Sequence, residues 1–341
     1  MNILIFGAGS VGAHHANAAS FLRANVFITD INKNQLLYLK KNLYPKRYGK
    51  WNKKINILDY NNIFKIKKKI DLIILGISPS NHMTVLKNCI KNLKFKKILV
   101  EKPLFVFNQR INIKIFKKFE NKIYCGFNHE ISKSILFVKK YIKSKNNIQK
   151  IKIKWAESFK YLLKAHPWVK KIEDTYLSNI YKGGGVLHEF SHAVHLTNSL
   201  KNLITRKKNL KLKSEIVFKK NKNKRKYDIL SKILLKNENF EIETYVDGIS
   251  IPPEKKISIY SNNEELVWER LANKNIEKIT IFRNGRKKLN KIFKISRPQD
   301  FITQTKALIS NKKKNMNDVK CNNFKNSLAT TLLIKKCIKN S

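Results

Sequence analysis

The chain opens with a short apolar run, Met1-Asn2-Ile3-Leu4-Ile5-Phe6, and passes at once into Gly7-Ala8-Gly9-Ser10-Val11-Gly12. No other stretch limits the fold as much. The run reads as a buried parallel strand. The residues after Gly12, Ala13-His14-His15-Ala16-Asn17-Ala18-Ala19 and then Phe21-Leu22, read as a helix with a small-residue face. Strand, G-x-G-x-x-G and helix in that order form the dinucleotide fingerprint. Gly7 permits the tight turn, Gly9 lets backbone N–H groups approach a pyrophosphate, and Gly12 lets helix and strand pack closely. Ser10 and Val11 then fall at the helix N-terminus, where the dipole and unpaired N–H groups favour an anion.

A second strand, Asn25-Val26-Phe27-Ile28-Thr29-Asp30, ends in an acid at the spacing where the adenosine ribose hydroxyls are bound. Asp30 repels a 2′-phosphate, so NAD is the expected cofactor. NADP is the alternative, favoured by Lys33 and the net positive charge. Residues 34–43 read as a helix, Ile55-Asn56-Ile57-Leu58 as a strand and 61–69 as a short amphipathic segment. Asp71-Leu72-Ile73-Ile74-Leu75, Lys97-Ile98-Leu99-Val100 and 122–128 read as further strands, with a helix from His82 to about Asn92. Strands alternating with helices make a doubly wound parallel sheet. Ligands bind outside the carboxyl ends of such strands. Ser78 and Pro79 after the fourth strand, and Glu101-Lys102-Pro103 after the fifth, are therefore set against the cofactor, Lys102 towards the nicotinamide. His82, at the start of a helix, is most simply a cap or a packing residue.

Beyond residue 129 the pattern changes. Residues 132–143 read as a helix, and Ile151-Lys152-Ile153-Lys154-Trp155 alternates strictly, as a strand with one wet face does. Strand candidates then occur at 210–218, 227–235, 240–246, 256–260, 266–268 and 278–282 with no helices between them, which describes a mostly antiparallel open sheet. An exposed hairpin is expected within 201–226, and closing helices at 297–309 and 327–338. The expected organisation is a dinucleotide-binding domain over 1–125, a substrate and oligomerisation domain over 126–296, and C-terminal helices over 297–341 packing back on the body.

With 341 residues, 42% of them hydrophobic, the chain can build two cores. Its 72 Lys and Arg against 23 Asp and Glu give a formal charge of +49. The lysines are spread evenly and travel with Ile and Asn, whose codons are also A/T-rich. No basic arm, RNA-binding aromatic signature or zinc finger accompanies them, so no specific nucleic-acid partner is expected. The N-terminal run carries no basic residue ahead of it, and no stretch nears the ~18 apolar residues of a membrane span. Cys89, Cys125, Cys321 and Cys337 are scattered, which fits a reducing cytoplasm.

Gly183-Gly184-Gly185-Val186-Leu187-His188-Glu189-Phe190-Ser191-His192 contains H-E-x-x-H. On one helix His188 and His192 would share a face, the zinc-protease arrangement, with Glu189 as base and His195 as a third ligand. A zinc hydrolase leaves the first 125 residues without a role, and no metal is expected.

The chain resembles the Gfo/Idh/MocA oxidoreductases over nearly its full length. The resemblance rests on the Gly7–Gly12 loop, Asp30, Ser78-Pro79 with His82, Glu101-Lys102-Pro103, Gly126-Phe127-Asn128, and Gly183-Gly184 followed by His192. It implies a Rossmann domain, a substrate domain whose sheet covers the nicotinamide, and dimers or tetramers formed through that sheet. It implies that Lys102 and His192 face the reacting carbon, one as acid/base and the other holding the substrate oxygen. The family usually has an aspartate where this chain has His188, which binds substrate or shares protons with His192. His82 and Glu101 fall on the cofactor side, Glu101 positioning the cofactor or Lys102. Asn128 falls on the substrate side. The chain is similar to members acting on activated sugars for surface polysaccharides around Glu157, Tyr161, Trp168, Asp174 and Tyr176. The expected activity is NAD-dependent oxidation of a sugar or nucleotide-sugar alcohol. A non-catalytic NAD-binding sensor or scaffold is the rival.

Overall fold

The computed structural model describes residues 1–164, 171–204, 210–296, 298–310 and 319–341. Trp168, Arg297 and the 205–209 part of the expected hairpin lie outside the described residues. The chain forms two compact units, which follow the sheets rather than the linear order. The first holds 1–105, 109–131 and 296–327, and the second holds 106–108, 132–295 and 328–341. The C-terminal stretch, expected as one segment, is divided between them.

In the first unit β1 (Asn2–Phe6), β2 (Asn25–Thr29), β3 (Ile55–Ile57), β4 (Ile70–Leu75), β5 (Phe95–Val100) and β6 (Ile123–Cys125) pair in the order β3-β2-β1-β4-β5-β6. Every pairing is parallel. Ile3, Leu4 and Ile5 of β1 and Leu72 to Leu75 of β4 are wholly buried, as strands covered on both faces must be. The strand order reverses between β1 and β4. That is the switch point where a crevice opens at the carboxyl ends of the strands. Helix α1 (Ser10–Phe21) leaves β1, and the helix Gln299–Ile309 packs on it, with the Phe301 ring stacked on His14 at 4.8 Å and edge-on to His15 at 4.9 Å. The helix expected over 34–43 begins at Lys33 and widens into a π turn at Leu39–Leu43 before the helix Tyr44–Tyr48.

In the second unit β7 (Ile148–Ala156), β8 (Lys211–Lys220), β9 (Lys226–Lys236), β10 (Glu241–Asp247), β11 (Glu254–Ser261), β12 (Glu264–Leu271), β13 (Ile276–Arg283) and β14 (Arg286–Lys294) form one sheet. Its order is β14-β13-β12-β11-β7-β10-β9-β8. All neighbours are antiparallel except β7 and β10, which run parallel. β7 enters first and becomes the centre; one meander is then added to each side of it.

The alternation in β7 divides the two faces of this sheet. Ile151, Ile153 and Trp155 point into a core shared with Ile257 and Ile259 of β11 and Trp268 of β12. The helices Lys133–Lys143 and Ser191–Ile204 add Ile135, Val138, Val194 and Leu200 to it. On the other face Lys152 stands opposite Glu243, Lys150 opposite Glu241, and Lys256 opposite Glu269. Lysines and glutamates thus face each other across neighbouring strands.

Candidate active site

The cofactor side is built in the first unit by the glycine loop. Gly7 has φ 102°, and a Cβ there would lie 2.3 Å from the Gly76 carbonyl oxygen, so only glycine lets the β1 and β4 loops come this close. A Cβ on Gly12 would lie 1.9 Å from the Gly7 carbonyl oxygen. Gly9 differs: a Cβ there would meet nothing within 4 Å. It is the N-cap of α1, it provides no side-chain cap, and no acid stands in the first turn. The backbone donors of that turn face open space.

Asp30 ends β2 beside this loop. Its Oδ2 accepts the Ala8 N–H at 2.8 Å and its Oδ1 the Asn32 N–H at 2.9 Å. The Ala8 carbonyl accepts from Gln35 Nε2 at 3.0 Å. The carboxylate is half-buried and holds the loop while keeping lone pairs for hydroxyl donors.

The opposite bank comes from the ends of β4, β5 and β6. Ser78 is exposed and Pro79 buried. His82 is wholly buried, with Nδ1 2.9 Å from the Pro103 carbonyl and Nε2 3.0 Å from the Ile77 carbonyl. Both ring nitrogens are used by backbone, so the cofactor contact expected of His82 is replaced by a brace between two loops. Burial pushes its pKa below the ordinary histidine range, against the pull of the two carbonyls.

Glu101 is buried, and its Oε1 lies 2.8 Å from Nε2 of the fully buried His15 in α1. Its Oε2 lies 3.3 Å from the Lys102 backbone nitrogen. A Cβ on Gly126 would come within 2.5 Å of this carboxylate, which explains the glycine. Sequence reasoning gives His15 no role; its place three residues after the last loop glycine is the available signal. The half-buried Lys102 therefore starts from a backbone position fixed by strand, helix and ion pair. The Asn128 side-chain oxygen is buried without a hydrogen-bond partner, a group suited to receive a donor from a ligand.

The histidines belong to the second unit. The H-E-x-x-H stretch is not one helix: Val186–Glu189 ends at Phe190, and a new helix starts at Ser191. His188 and His192 therefore do not stand one turn apart on a common face. His188 is buried, with Nδ1 3.0 Å from the Gly184 carbonyl and its ring 5.9 Å from Phe107, which in turn lies 5.7 Å from Tyr181. His192 stacks on Trp155 at 6.1 Å. His195, the third candidate metal ligand, is buried against Thr330 Oγ1 at 2.8 Å. Among the described residues no group of three or more His, Cys, Asp or Glu could hold a metal ion.

The short helix carrying His188 is itself held by a buried acid. Asp228 Oδ2 accepts the Leu187 N–H at 2.8 Å. A Cβ on Gly185, at φ 82°, would lie 1.7 Å from Asp228 Oδ1, so the third glycine of the triplet is dictated by this carboxylate. Burial raises the Asp228 pKa to about 6. Sequence reasoning passes over Asp228, which looks like an ordinary strand residue.

Of the expected substrate-side cluster, Glu157 pairs with Lys255 at 2.6 Å, and Lys255 lies over the Trp155 ring at 5.1 Å. The Tyr176 hydroxyl donates to Glu189 at 3.1 Å. Tyr161 and Asp174 are exposed. Glu157 and Tyr176 thus engage different partners rather than each other.

Residues 1–122 match the GFO_IDH_MocA model, an oxidoreductase family with an NAD-binding Rossmann fold. This stretch is a Gfo/Idh/MocA NAD-binding domain. No curated protein matches the chain in sequence. Solved structures share the fold over the whole length. Levoglucosan dehydrogenase in complex with NADH aligns at TM-score 0.70 and 12% identity, covering 100% of this chain and 98% of that one. UDP-N-acetylglucosamine 3-dehydrogenase GnnA from Acidithiobacillus ferrooxidans aligns at 0.67 and 11%, covering 99% and 96%. Biliverdin reductase from Synechocystis sp. PCC 6803, in complex with biliverdin and NADP+, aligns at 0.68 and 10%, covering 99% and 98%. The shared fold therefore accommodates chemically unlike substrates.

The Gfo/Idh/MocA domain fits NAD on its own geometry. The space left by Gly9 and the uncapped first turn of α1 suit the pyrophosphate, and Asp30 suits the ribose hydroxyls. No helix among the described residues is long and apolar enough to cross a membrane.

Proposed function

We propose that the protein is an NAD-dependent dehydrogenase that oxidises a secondary alcohol of a sugar or nucleotide-sugar, reversibly, in the making of a surface polysaccharide. The observation that carries the reading is a lysine at the carboxyl end of β5, next to the switch point of a Gfo/Idh/MocA NAD-binding domain. The sugar class draws support from the substrates named for levoglucosan dehydrogenase and GnnA.

When bound, the nicotinamide accepts or returns the substrate hydride. The residues of the chain do the rest. Lys102 holds and polarises the substrate oxygen, and His192 takes the hydroxyl proton as the carbonyl forms, an assistance of ~10²–10⁴-fold for a well-placed base. The reverse assignment of these two is the other form of the same reading. His188, Asn128, Tyr161 and Trp168 bind the substrate, and Glu101 fixes Lys102. The reading also includes homo-oligomers formed through the outer face of the eight-stranded sheet, and a cytoplasmic location, in keeping with four unbridged cysteines.

The test is formation of reduced nicotinamide when the protein is given NAD and a panel of nucleotide-sugars. Turnover with at least one of them is expected, and Lys102→Ala should abolish it while NADH binding by calorimetry stays within about twofold, far less than the loss from one charged hydrogen bond. NADH binding with no turnover on any sugar would favour a non-catalytic sensor, the rival that His188 in place of an aspartate brings in.

A further inference from the structure

One cation reaches the phosphate loop from a segment that the nucleotide fingerprint does not include. The helix Tyr44–Tyr48 succeeds the π turn, and its Arg47 projects onto the first turn of α1. Arg47 Nη1 donates to the Ser10 side-chain oxygen at 2.9 Å and to the Ser10 carbonyl at 3.1 Å. The same nitrogen lies 3.4 Å from His14 Nε2. His14 is bonded through Nδ1 to the Tyr48 hydroxyl and is stacked on Phe301 at 4.8 Å, so the ring is clamped on both sides. Four side chains thus hold the guanidinium at one place. With Nε2 facing a guanidinium, His14 acts there as an acceptor and contributes no positive charge.

The guanidinium is held where an anion is favoured. Ser10 is the first residue of α1, so the backbone donors of that turn and the open space over Gly9 lie beside it. Ser10 and His14 are neutral groups, and their bonds fix the position of the charge without cancelling it. The first turn of α1 holds no acid. Asp30 turns both its oxygens to the backbone at Ala8 and Asn32, on the far side of the loop from Ser10 in sequence. Open space over Gly9, the backbone donors at the start of α1 and a fixed cation on Ser10 are together matched to a diphosphate.

We infer that Arg47 is a cofactor-binding residue whose charge serves the pyrophosphate shared by NAD and NADP, and not the 2′-phosphate that distinguishes them. The inference rests on the cofactor assignment of the first unit. It explains how a loop with no lysine or arginine of its own obtains a fixed positive charge. It also gives the Tyr44–Tyr48 helix a function: to deliver one side chain.

The experiment is calorimetric titration of the full chain, wild type and Arg47→Gln, with NADH, NADPH and ADP-ribose at several salt concentrations. All three should bind roughly ten- to hundredfold more weakly to the variant, the loss of a charge-assisted hydrogen bond. The fall of affinity with salt should also become shallower. Arg47→Lys, which keeps the charge, should recover part of the affinity and most of the salt slope. Thermal melting of the unliganded variants should stay close to wild type. Unchanged NADH affinity, or a loss confined to NADPH, overturns the inference. So does a loss with unchanged salt slope, or one accompanied by a collapse of melting temperature in both variants. A wild-type chain that binds none of the three ligands would overturn the cofactor assignment itself.

Discussion

At the scale of single residues, the cofactor side shows how one side chain can serve both fold and ligand. Asp30 closes the glycine loop through Ala8 and Asn32 and still stands at the ribose position. Asp30→Ala should therefore weaken NADH roughly tenfold, the value of a hydrogen bond to a charged group, and weaken NADPH less. The ratio of the two dissociation constants is the readout; an unaltered ratio would mean that Asp30 does not read the ribose. Glu101 is the converse case, a site residue that works through its partners. His15→Ala leaves its carboxylate buried beside Lys102 without the imidazole, at a cost of about 1–3 kcal/mol for an unsatisfied polar group. Denaturant unfolding should show that loss, and turnover should fall with it while NADH affinity changes little. A fully stable variant would mean that water satisfies Glu101 equally well.

At the scale of elements, the H-E-x-x-H stretch is the instructive case. The spacing reads as one helix face, yet the chain breaks at Phe190 because Val186–Glu189 is anchored separately, by Asp228 at Leu187 and by the Gly183-Gly184-Gly185 approach. Asp228 makes this anchor sensitive to pH. Its carboxyl group titrates at about 6 in the folded chain, against an ordinary value of 3.8. A raised carboxylate pKa means the folded state favours the protonated form. The stability it contributes is complete below about pH 4 and is lost as the pH rises through 6, by up to about 3 kcal/mol. Asp228→Asn keeps an acceptor for Leu187 and cannot ionise. Wild type should therefore lose stability relative to the variant between about pH 4 and 7, measured by chemical denaturation at each pH. A difference that is flat over this range would place the Asp228 pKa near its ordinary value. β14 teaches a related lesson. Every residue of this edge strand except Phe293 is exposed, so its lysine-rich sequence carries almost none of the alternation that marks a strand.

At the scale of the whole molecule, a charge of +49 opposes any meeting of two copies, over a screening distance of about 8 Å at physiological salt. The outer face of the eight-stranded sheet is where that opposition is weakest, because Glu241, Glu243 and Glu269 stand among Lys150, Lys152 and Lys256. Light scattering should find a dimer or tetramer at physiological salt. Lys152→Glu combined with Lys256→Glu, which sets like charges across two rungs, should yield monomers that still melt near the wild-type temperature. A monomeric wild type would remove the proposed assembly.

Local order was legible from the residues alone. The apolar runs of β1 and β4, the glycine loop, Asp30 and the strict alternation of β7 each express a constraint that acts within a few neighbours, whether a period of two, a positive φ or a turn. The tertiary structure decided whatever depends on residues distant in the chain. It made β7 the centre of its sheet with β10 parallel to it, turned His82 into a brace, set His15 against Glu101, divided the histidine motif and brought Arg47 to Ser10. These are packing and charge-pairing outcomes, and the free energy that selects them exists only once strands and helices have buried their faces against one another.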